Sequence, residues 1–389
     1  MISFDNKAEC CGCRACEQVC PKQCISMEAD EEGFSYPHIE TSKCVNCHLC
    51  ENVCPEQHHT NNSVISVYAA KNKNESIRSR SSSGGTFRLL SNCVLAKGGI
   101  VYGCAFDDHM VAGHIAVEKE EDMPRLQSSK YVQSDVANTY SEAKQWLESG
   151  RIVLYSGTPC QIAALKNFLR KDYENLLLVD VLCHGVPSPE ILSHYIKTME
   201  EKFAGTMVSL NLRDKKKSWK RLYVNAEFDN GKNYFIFCGY DSYLSMFLNN
   251  LSQRPSCFAC PFTSTNRQGD ITLGDFWGIG KHIREMDDDK GTSMIIVNTE
   301  KGKNAWDEIE EQMNSIQTDI DTAIDGNKVL CTPPKKNPNR DAFYRLYAEK
   351  GYEAAAEKYA MVPSRPKQIY YNVMRKGLDF YRFIFHKTY

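Results

Sequence analysis

No run of roughly 18 apolar residues occurs anywhere in the 389-residue chain, so the sequence offers no ordinary membrane-spanning helix. The opening Met-Ile-Ser-Phe-Asp-Asn-Lys-Ala-Glu has no apolar core of the kind a secretory leader needs and runs directly into Cys10; a cytoplasmic setting is expected. A strong net charge is also missing, the balance being −2, and nothing resembles a nucleic-acid-binding domain. Gly278-Ile279-Gly280-Lys281 lacks both the third glycine of a dinucleotide loop and the Ser or Thr of a phosphate-binding P-loop. No nicotinamide site is therefore indicated. What remains is a chain of 42% hydrophobic and 25% charged residues, the composition of a globular protein long enough for about two or three domains.

Cysteine is what the chain has in excess. Of 18 cysteines, ten fall within the first 54 residues, a distribution unsuited to disulfides and suited to metal ligation. Cys10, Cys13, Cys16 and Cys20-Pro21 form one C-x2-C-x2-C-x3-C-P run, and Cys44, Cys47, Cys50 and Cys54-Pro55 form a second. This doubled spacing is that of bacterial two-cluster ferredoxins, in which the fourth cysteine of each run serves the other cluster. Cys10, Cys13, Cys16 and Cys54 are accordingly assigned to one 4Fe–4S cluster, and Cys20, Cys44, Cys47 and Cys50 to the other. Each fourth cysteine is expected to open a short helix. Zinc sites do not require this doubled pattern with two prolines. Cys11 and Cys24 fall outside the pattern and read as packed or cluster-adjacent thiols. Asp30-Glu31-Glu32-Gly33 between two short strand-like runs predicts a β-hairpin.

After a polar stretch at 56–66, the chain alternates strand-like and helical segments. Strands are predicted at 64–70, 99–103, 152–155 and 176–181, giving a mixed α/β domain over 64–330 with a largely buried sheet. Ser83-Gly84-Gly85-Thr86 enters a helix, an arrangement that admits a phosphate or serves as a plain N-cap loop. Gly157-Thr158-Pro159-Cys160 and Cys183-His184-Gly185 stand just after predicted strands, where such sheets place ligands. Cys257 and Cys260 form a further C-x2-C pair that needs two more ligands, and spacing alone does not identify them.

These features, in order with Ser129-Lys130-Tyr131 and Gly274-Asp275-Phe276-Trp277-Gly278, strongly resemble the coenzyme F420 hydrogenase and dehydrogenase beta-subunit family, in its bacterial branch fused to a two-cluster module. The resemblance covers roughly residues 5–300. It implies bound FAD and a third 4Fe–4S cluster beside it. Carried over by position, Ser83, Gly84, Gly85, Thr86, Lys130, Tyr131, Ser156, Gly157 and Thr158 would contact the flavin. Cys183, Cys257 and Cys260 would ligate the flavin-proximal cluster, with Cys160 as the fourth ligand. Cys104 reads as a packed thiol.

The expected fold is α+β: a ferredoxin-like module at 1–58, the α/β flavin domain, and a basic aromatic helical tail at 333–389. The expected function is a ferredoxin-dependent flavin oxidoreductase that moves electrons through the clusters to FAD and on to an organic substrate. Two alternatives stand beside it: an oxidoreductase acting on F420, a deazaflavin, or a non-catalytic relay subunit of a larger complex. His184 and Asp275 are the candidate proton donors, although a histidine beside a cluster cysteine can equally serve only as a hydrogen-bond donor. Phe276 and Trp277 read as core, and Lys215-Lys216-Lys217 as solvated surface. The module carries 4 Lys/Arg against 10 Asp/Glu, the tail 12 against 5. Tyr370, Val373, Met374, Gly377, Leu378, Tyr381 and Phe385 share one helical stripe, with Arg375, Lys376 and Arg382 elsewhere on that helix. Such a helix fits an anionic membrane surface, or packing on its own domain or on a symmetry mate in a homo-oligomer.

Overall fold

The computed structural model describes residues 2–4 and 6–374. The stripe positions from Arg375 to Phe385 lie outside them. The N-terminal module is built on a hairpin of β1 (Ile25–Ala29) and β2 (Ser35–Ile39), paired antiparallel. Its turn needs Gly33 at φ 78°, and the Asp30 carboxylate accepts the amides of Glu32 and Phe34 at 3.0 Å. Two short helices, Ala15–Val19 and Leu49–Asn52, contain the third cysteine of each run. Cys20 caps the C-terminus of the first. The fourth cysteines therefore follow the helices and do not open them.

The body contains β3 (Ser66–Asn72), β4 (Ile100–Phe106), β5 (Ala112–Val117), β6 (Val153–Gly157), β7 (Leu176–Val181), β8 (Met207–Asp214), β9 (Tyr223–Phe228), β10 (Asn233–Phe237), β11 (Ile271–Asp275), β12 (Ser293–Val297) and β13 (Met313–Thr318). Eight of these form one sheet in the order β13-β3-β12-β11-β7-β6-β4-β5, and β10-β9-β8 form a small antiparallel sheet. β4, β6, β7 and β11 run parallel to one another, and two antiparallel steps through β12 give β3 the same direction. Ser83–Thr86, Ser156–Cys160, Leu182–Gly185 and Asp275–Trp277 consequently gather along one edge, beyond the C-terminal ends of β3, β6, β7 and β11.

The large sheet is covered on both faces because its strands alternate apolar side chains between them. Tyr68, Val101, Leu154, Val179 and Ile295 pack with Leu89, Leu90 and Trp306 of the helices Thr86–Ala96 and Glu300–Glu310. Ile100, Tyr102, Tyr155 and Leu178 pack with Tyr140, Ile162 and Leu165, and here Cys11, Cys13 and Val53 of the module join the core. A third core joins the small sheet to the helices Pro189–Phe203, Ser242–Leu248 and Arg340–Tyr359. The first part of the predicted tail thus buries Phe343, Tyr344, Tyr347 and Tyr352 in the body. Residues 365–374 are helical and leave Ile369, Tyr370, Val373 and Met374 exposed. Among the described residues no helix is long and apolar enough to cross a membrane.

Candidate cluster and cofactor sites

The two cysteine runs interleave as the ferredoxin spacing requires. One hollow is lined by Cys10, Cys13, Cys16 and Cys54 together with Cys11 and Glu56. A second is lined by Cys20, Cys44, Cys47 and Cys50, with Cys24 at its wall and its sulfur 3.4 Å from that of Cys20. Arg14 and His48 take φ of 60° at the head of the short helices, which folds each C-x2-C-x2-C segment into a tight loop. Loop 44–48 faces outward: Cys47 is exposed, as are Val45 and His48. The other group is buried.

A third set of thiols assembles in the body. Cys160 lies in the first turn of helix Pro159–Leu169, Cys183 follows β7, and Cys257 and Cys260 sit at the short helical turn Pro255–Ala259. Cys183, Cys257 and Cys260 each have Cys160 close enough to act on their charge. The Val186 amide donates to the Cys257 sulfur at 3.4 Å, and the Gly185 amide to that of Cys183 at 3.3 Å. A side chain at Gly185 would stand 3.1 Å from Cβ of Cys257, and its φ of 103° favours glycine independently.

No disulfide joins any of the 18 cysteines. Burial pushes Cys54 and Cys260 up to about 11 and Cys183 up to about 12, and the neighbouring cysteines add to that effect. Thiols crowded this way are poor anions alone. A cationic group among them supplies the charge that makes them ligands, so the donor sets fit iron–sulfur clusters. Among the described residues no three His, Cys, Asp or Glu side chains gather at a spacing that would hold a single metal ion.

Among the contacts that seat the module on the body, one arginine makes several at once. Arg254, fully buried, donates from Nε to the Cys10 carbonyl at 2.7 Å, from Nη2 to the Ser35 carbonyl at 3.0 Å and from Nη1 to Gln133 Oε1 at 3.1 Å. Its guanidinium lies 4.2 Å from the Tyr36 ring centroid. Gln133 Nε2 returns a bond to the Cys11 carbonyl at 3.0 Å. Gly12 has no room for a side chain, since a Cβ would meet Gln133 and Arg254 at 2.7 and 2.8 Å. A second clamp is the two-pronged pairing of buried Arg340 with Glu32. Sequence reasoning missed all of these contacts. Arg254 sits three positions before a candidate ligand, but nothing local marks its partners, which lie 121 to 244 residues away.

The positions carried over for the flavin are held in several ways. Gly84 is required by packing: a Cβ would stand 2.2 Å from the Ala70 carbonyl oxygen and 2.7 Å from the Ser293 amide. Gly84→Ala is expected to cost about 3 kcal/mol, read as a lowered urea midpoint, because both obstacles are backbone in the central sheet. An unchanged midpoint would show that the loop can retreat. Gly85, at φ 92°, caps the 11-residue helix Thr86–Ala96 without a side-chain hydrogen bond. The Thr86 hydroxyl is buried and has no partner among the described residues. Uncapped amides and an orphaned hydroxyl at a helix start fit a phosphate, so this loop passes the test for a dinucleotide such as FAD. Ser82 and Ser129 hydroxyls, 3.2 Å apart, tie the loop to the Lys130-Tyr131 segment. Lys215 donates to the Ser83 carbonyl at 2.6 Å, and burial lowers it to about 7. That residue of the Lys215–Lys217 run is therefore structural and not merely solvated. Lys130 donates to the Arg125 and Gln127 carbonyls, both at 2.8 Å. Ser156 donates to the Tyr102 carbonyl at 2.9 Å, while Thr158 forms a capping box with Gln161.

Comparison with known proteins fits this geometry. Residues 150–322 match the family described as the C-terminal part of the coenzyme F420 hydrogenase/dehydrogenase beta subunit. Residues 9–58 match a 4Fe-4S dicluster domain. The chain thus carries, over 150–322, the C-terminal domain of the F420 hydrogenase/dehydrogenase beta-subunit family behind an N-terminal 4Fe-4S dicluster domain. A chain in the xenon-derivatised F420-reducing NiFe hydrogenase complex from Methanosarcina barkeri is similar at 16% identity and a TM-score of 0.44, over 76% of this chain and 91% of that one. No curated protein matches. These matches make the chain an iron–sulfur electron-transfer protein related to the F420 hydrogenase oxidoreductases, and its dicluster module accounts for two 4Fe–4S clusters.

The two proton-donor candidates stand differently. His184 Nε2 lies 3.0 Å from Asn250 Oδ1, and Gln253 Nε2 donates to the same oxygen at 2.9 Å, which fixes that atom as an acceptor. Burial lowers the imidazole, so the ring favours its neutral form with the proton on Nε2. Both Asp275 oxygens are occupied: Trp219 Nε1 donates at 2.6 Å and Arg213 Nη2 at 3.1 Å. Phe276 is core, whereas half-buried Trp277 stacks on Trp219 with centroids 4.8 Å apart.

Proposed function

We propose that this chain couples oxidation of reduced ferredoxin to reduction of an organic substrate, using the two module clusters, a third cluster held by Cys160, Cys183, Cys257 and Cys260, and FAD at the loop of Ser83, Gly84, Gly85 and Thr86. Such clusters exchange electrons singly and a flavin exchanges one or two, which joins a one-electron donor to two-electron chemistry. The observation that carries this reading is the linear order of the thiol groups. The exposed loop of Cys44 and Cys47 leads to the buried group through Cys50, packed in one cluster with Cys16, and Cys11 and Cys13 share a core with Cys160 beside the sheet edge. A protein donor can therefore reach the outer group alone, while the edge is left for a small molecule. The chain's own residues hold the thiols, keep Gly84 close to β3, and offer Thr86 and the helix amides to a phosphate. Of the proton-bearing candidates, His184 is the better placed, because the Asp275 carboxylate is held by Arg213 and Trp219.

Protein isolated without oxygen is expected to carry about twelve irons and one FAD per chain, and reduced ferredoxin should bleach the flavin. About eight irons would remove the third cluster from the reading, and zinc in place of iron would remove electron transfer altogether. The family match over 150–322 favours a second reading, in which F420 is the substrate. Steady-state reduction of F420 by the purified protein with reduced ferredoxin would decide for it. A flavin that turns over only within a tight partner complex would instead make the chain a relay subunit.

A further inference from the structure

Half of the large apolar side chains left exposed among the described residues fall in one stretch, from Met361 to Met374. The four most exposed of them all, Met361, Ile369, Val373 and Tyr370, belong to it. From residue 365 to residue 374 this stretch is a helix. At about 100° per residue, Ile369, Val373, Tyr370 and Met374 share one face roughly 140° wide. Arg365 and Lys367 fall just outside the two margins of that face, and Gln368 and Asn372 lie opposite it. The opposite side is the one that meets the rest of the chain. Gln368 Nε2 donates to the Pro363 carbonyl at 2.7 Å, and the Tyr240 hydroxyl lies 3.5 Å from Asn372 Oδ1. The apolar face is therefore turned away from the body.

Charge selects what covers it. Residues 361–389 hold six Lys/Arg against one Asp. Arg365 and Lys367 are exposed and pair with no carboxylate among the described residues. The tail of a second copy would bring the same sign of charge and be repelled. An anionic bilayer surface suits both halves of the pattern. Its acyl boundary takes the apolar face, and its phosphates take the cations at the margins, whose long stems reach past the stripe. We propose that the helix at 365–374 lies flat on an anionic lipid surface and holds the protein there peripherally. Such binding draws on buried apolar area and on headgroup attraction together. The tail's role is independent of the cofactors and substrate proposed above.

The test is co-sedimentation of the full-length loaded protein with vesicles of phosphatidylcholine alone, or of phosphatidylcholine mixed with phosphatidylglycerol. Wild type should pellet with the mixed vesicles at low salt and be released as salt rises, and it should stay in solution with phosphatidylcholine alone. Arg365→Glu combined with Lys367→Glu should weaken partitioning by roughly tenfold or more, since each basic residue at such a surface is worth about fivefold. Ile369→Gln combined with Val373→Gln keeps the charge and should weaken it comparably. All four positions are exposed, so both variants should keep the wild-type iron content and melting point. Equal pelleting with both kinds of vesicle would overturn the proposal, because apolar adsorption alone would explain it. Partitioning that either double variant leaves unchanged would overturn it too. So would a lowered melting point in the glutamine variant, which would place the face inside the protein. Wild type that ignores both vesicles would end the idea outright, and sedimentation velocity would then show whether a second copy covers the face.

Discussion

The Cys257→Ser protein is expected to lose about four of its irons while the two module clusters keep their spectra. Serine puts a hard, weakly acidic hydroxyl where a soft thiolate is needed, and iron binds it poorly at neutral pH. The position has little slack. The Cys257 sulfur accepts from the Val186 amide, and the adjoining Gly185 could not carry even a Cβ without crowding it. Three remaining thiols on three separate chain segments cannot close the gap by local adjustment. Reduced ferredoxin should still reduce the module, whose cysteines lie in a different part of the chain. Its reduction of the flavin should collapse, whereas a small chemical reductant should still bleach the flavin directly. Full iron content together with an ordinary rate of ferredoxin-driven flavin reduction would show that Cys257 holds no cluster.

Much of this site could be read in the sequence because its information is local. The doubled cysteine runs specify which thiols share a hollow, since each tight loop and its short helix are built within about a dozen residues. β3, β4, β6 and β7 show themselves as short apolar runs; β7 has the predicted bounds, and the edges of the other three are displaced by one to three residues. The strands of the small sheet went unpredicted: residues of β8 and β9 such as Asn211, Arg213 and Asn225 interrupt the apolar pattern, yet they are wholly or largely buried through side-chain bonds. The tail's charge and aromatics left a surface helix and a packed one both open; in its first part Phe343, Tyr344 and Tyr347 recur at spacings that place them inside the third core, while the stripe from Arg375 to Phe385 lies outside the described residues. Contacts between distant segments left no trace. Neither the meeting of Cys11 with Cys160 nor the pairing of Arg340 with Glu32 could be inferred from spacing, because each depends on how the module seats on the body.

That seating yields the other large effect. Arg254→Ala is expected to loosen the module from the body and to destabilise the chain by roughly 3–5 kcal/mol. The side chain is wholly buried and is the sole link in the described structure that joins the Cys10 carbonyl, the Ser35 carbonyl and Gln133 at one point. Its removal strands two backbone acceptors and an amide oxygen, each worth about 1–3 kcal/mol when left unpaired in the interior, and water entering the vacated space recovers part of that. The stacking on Tyr36 is lost as well. Arg254→Lys should recover only a fraction, since an ammonium cannot span three acceptors that a planar guanidinium meets together. The readouts separate docking from folding. Arg254 Nη2 also donates to the Cys10 sulfur at 3.6 Å, but the four thiols of that group stay in place without it, so the variant should keep the module's iron while the segment at 56–66 becomes open to protease and the thermal transition falls or divides in two. Glu32→Ala, which removes the second clamp, should add to the effect in the double variant, both losses acting on the same docking equilibrium. Wild-type melting and unchanged protection of that segment in Arg254→Ala would mean that the module is held by its apolar contacts alone.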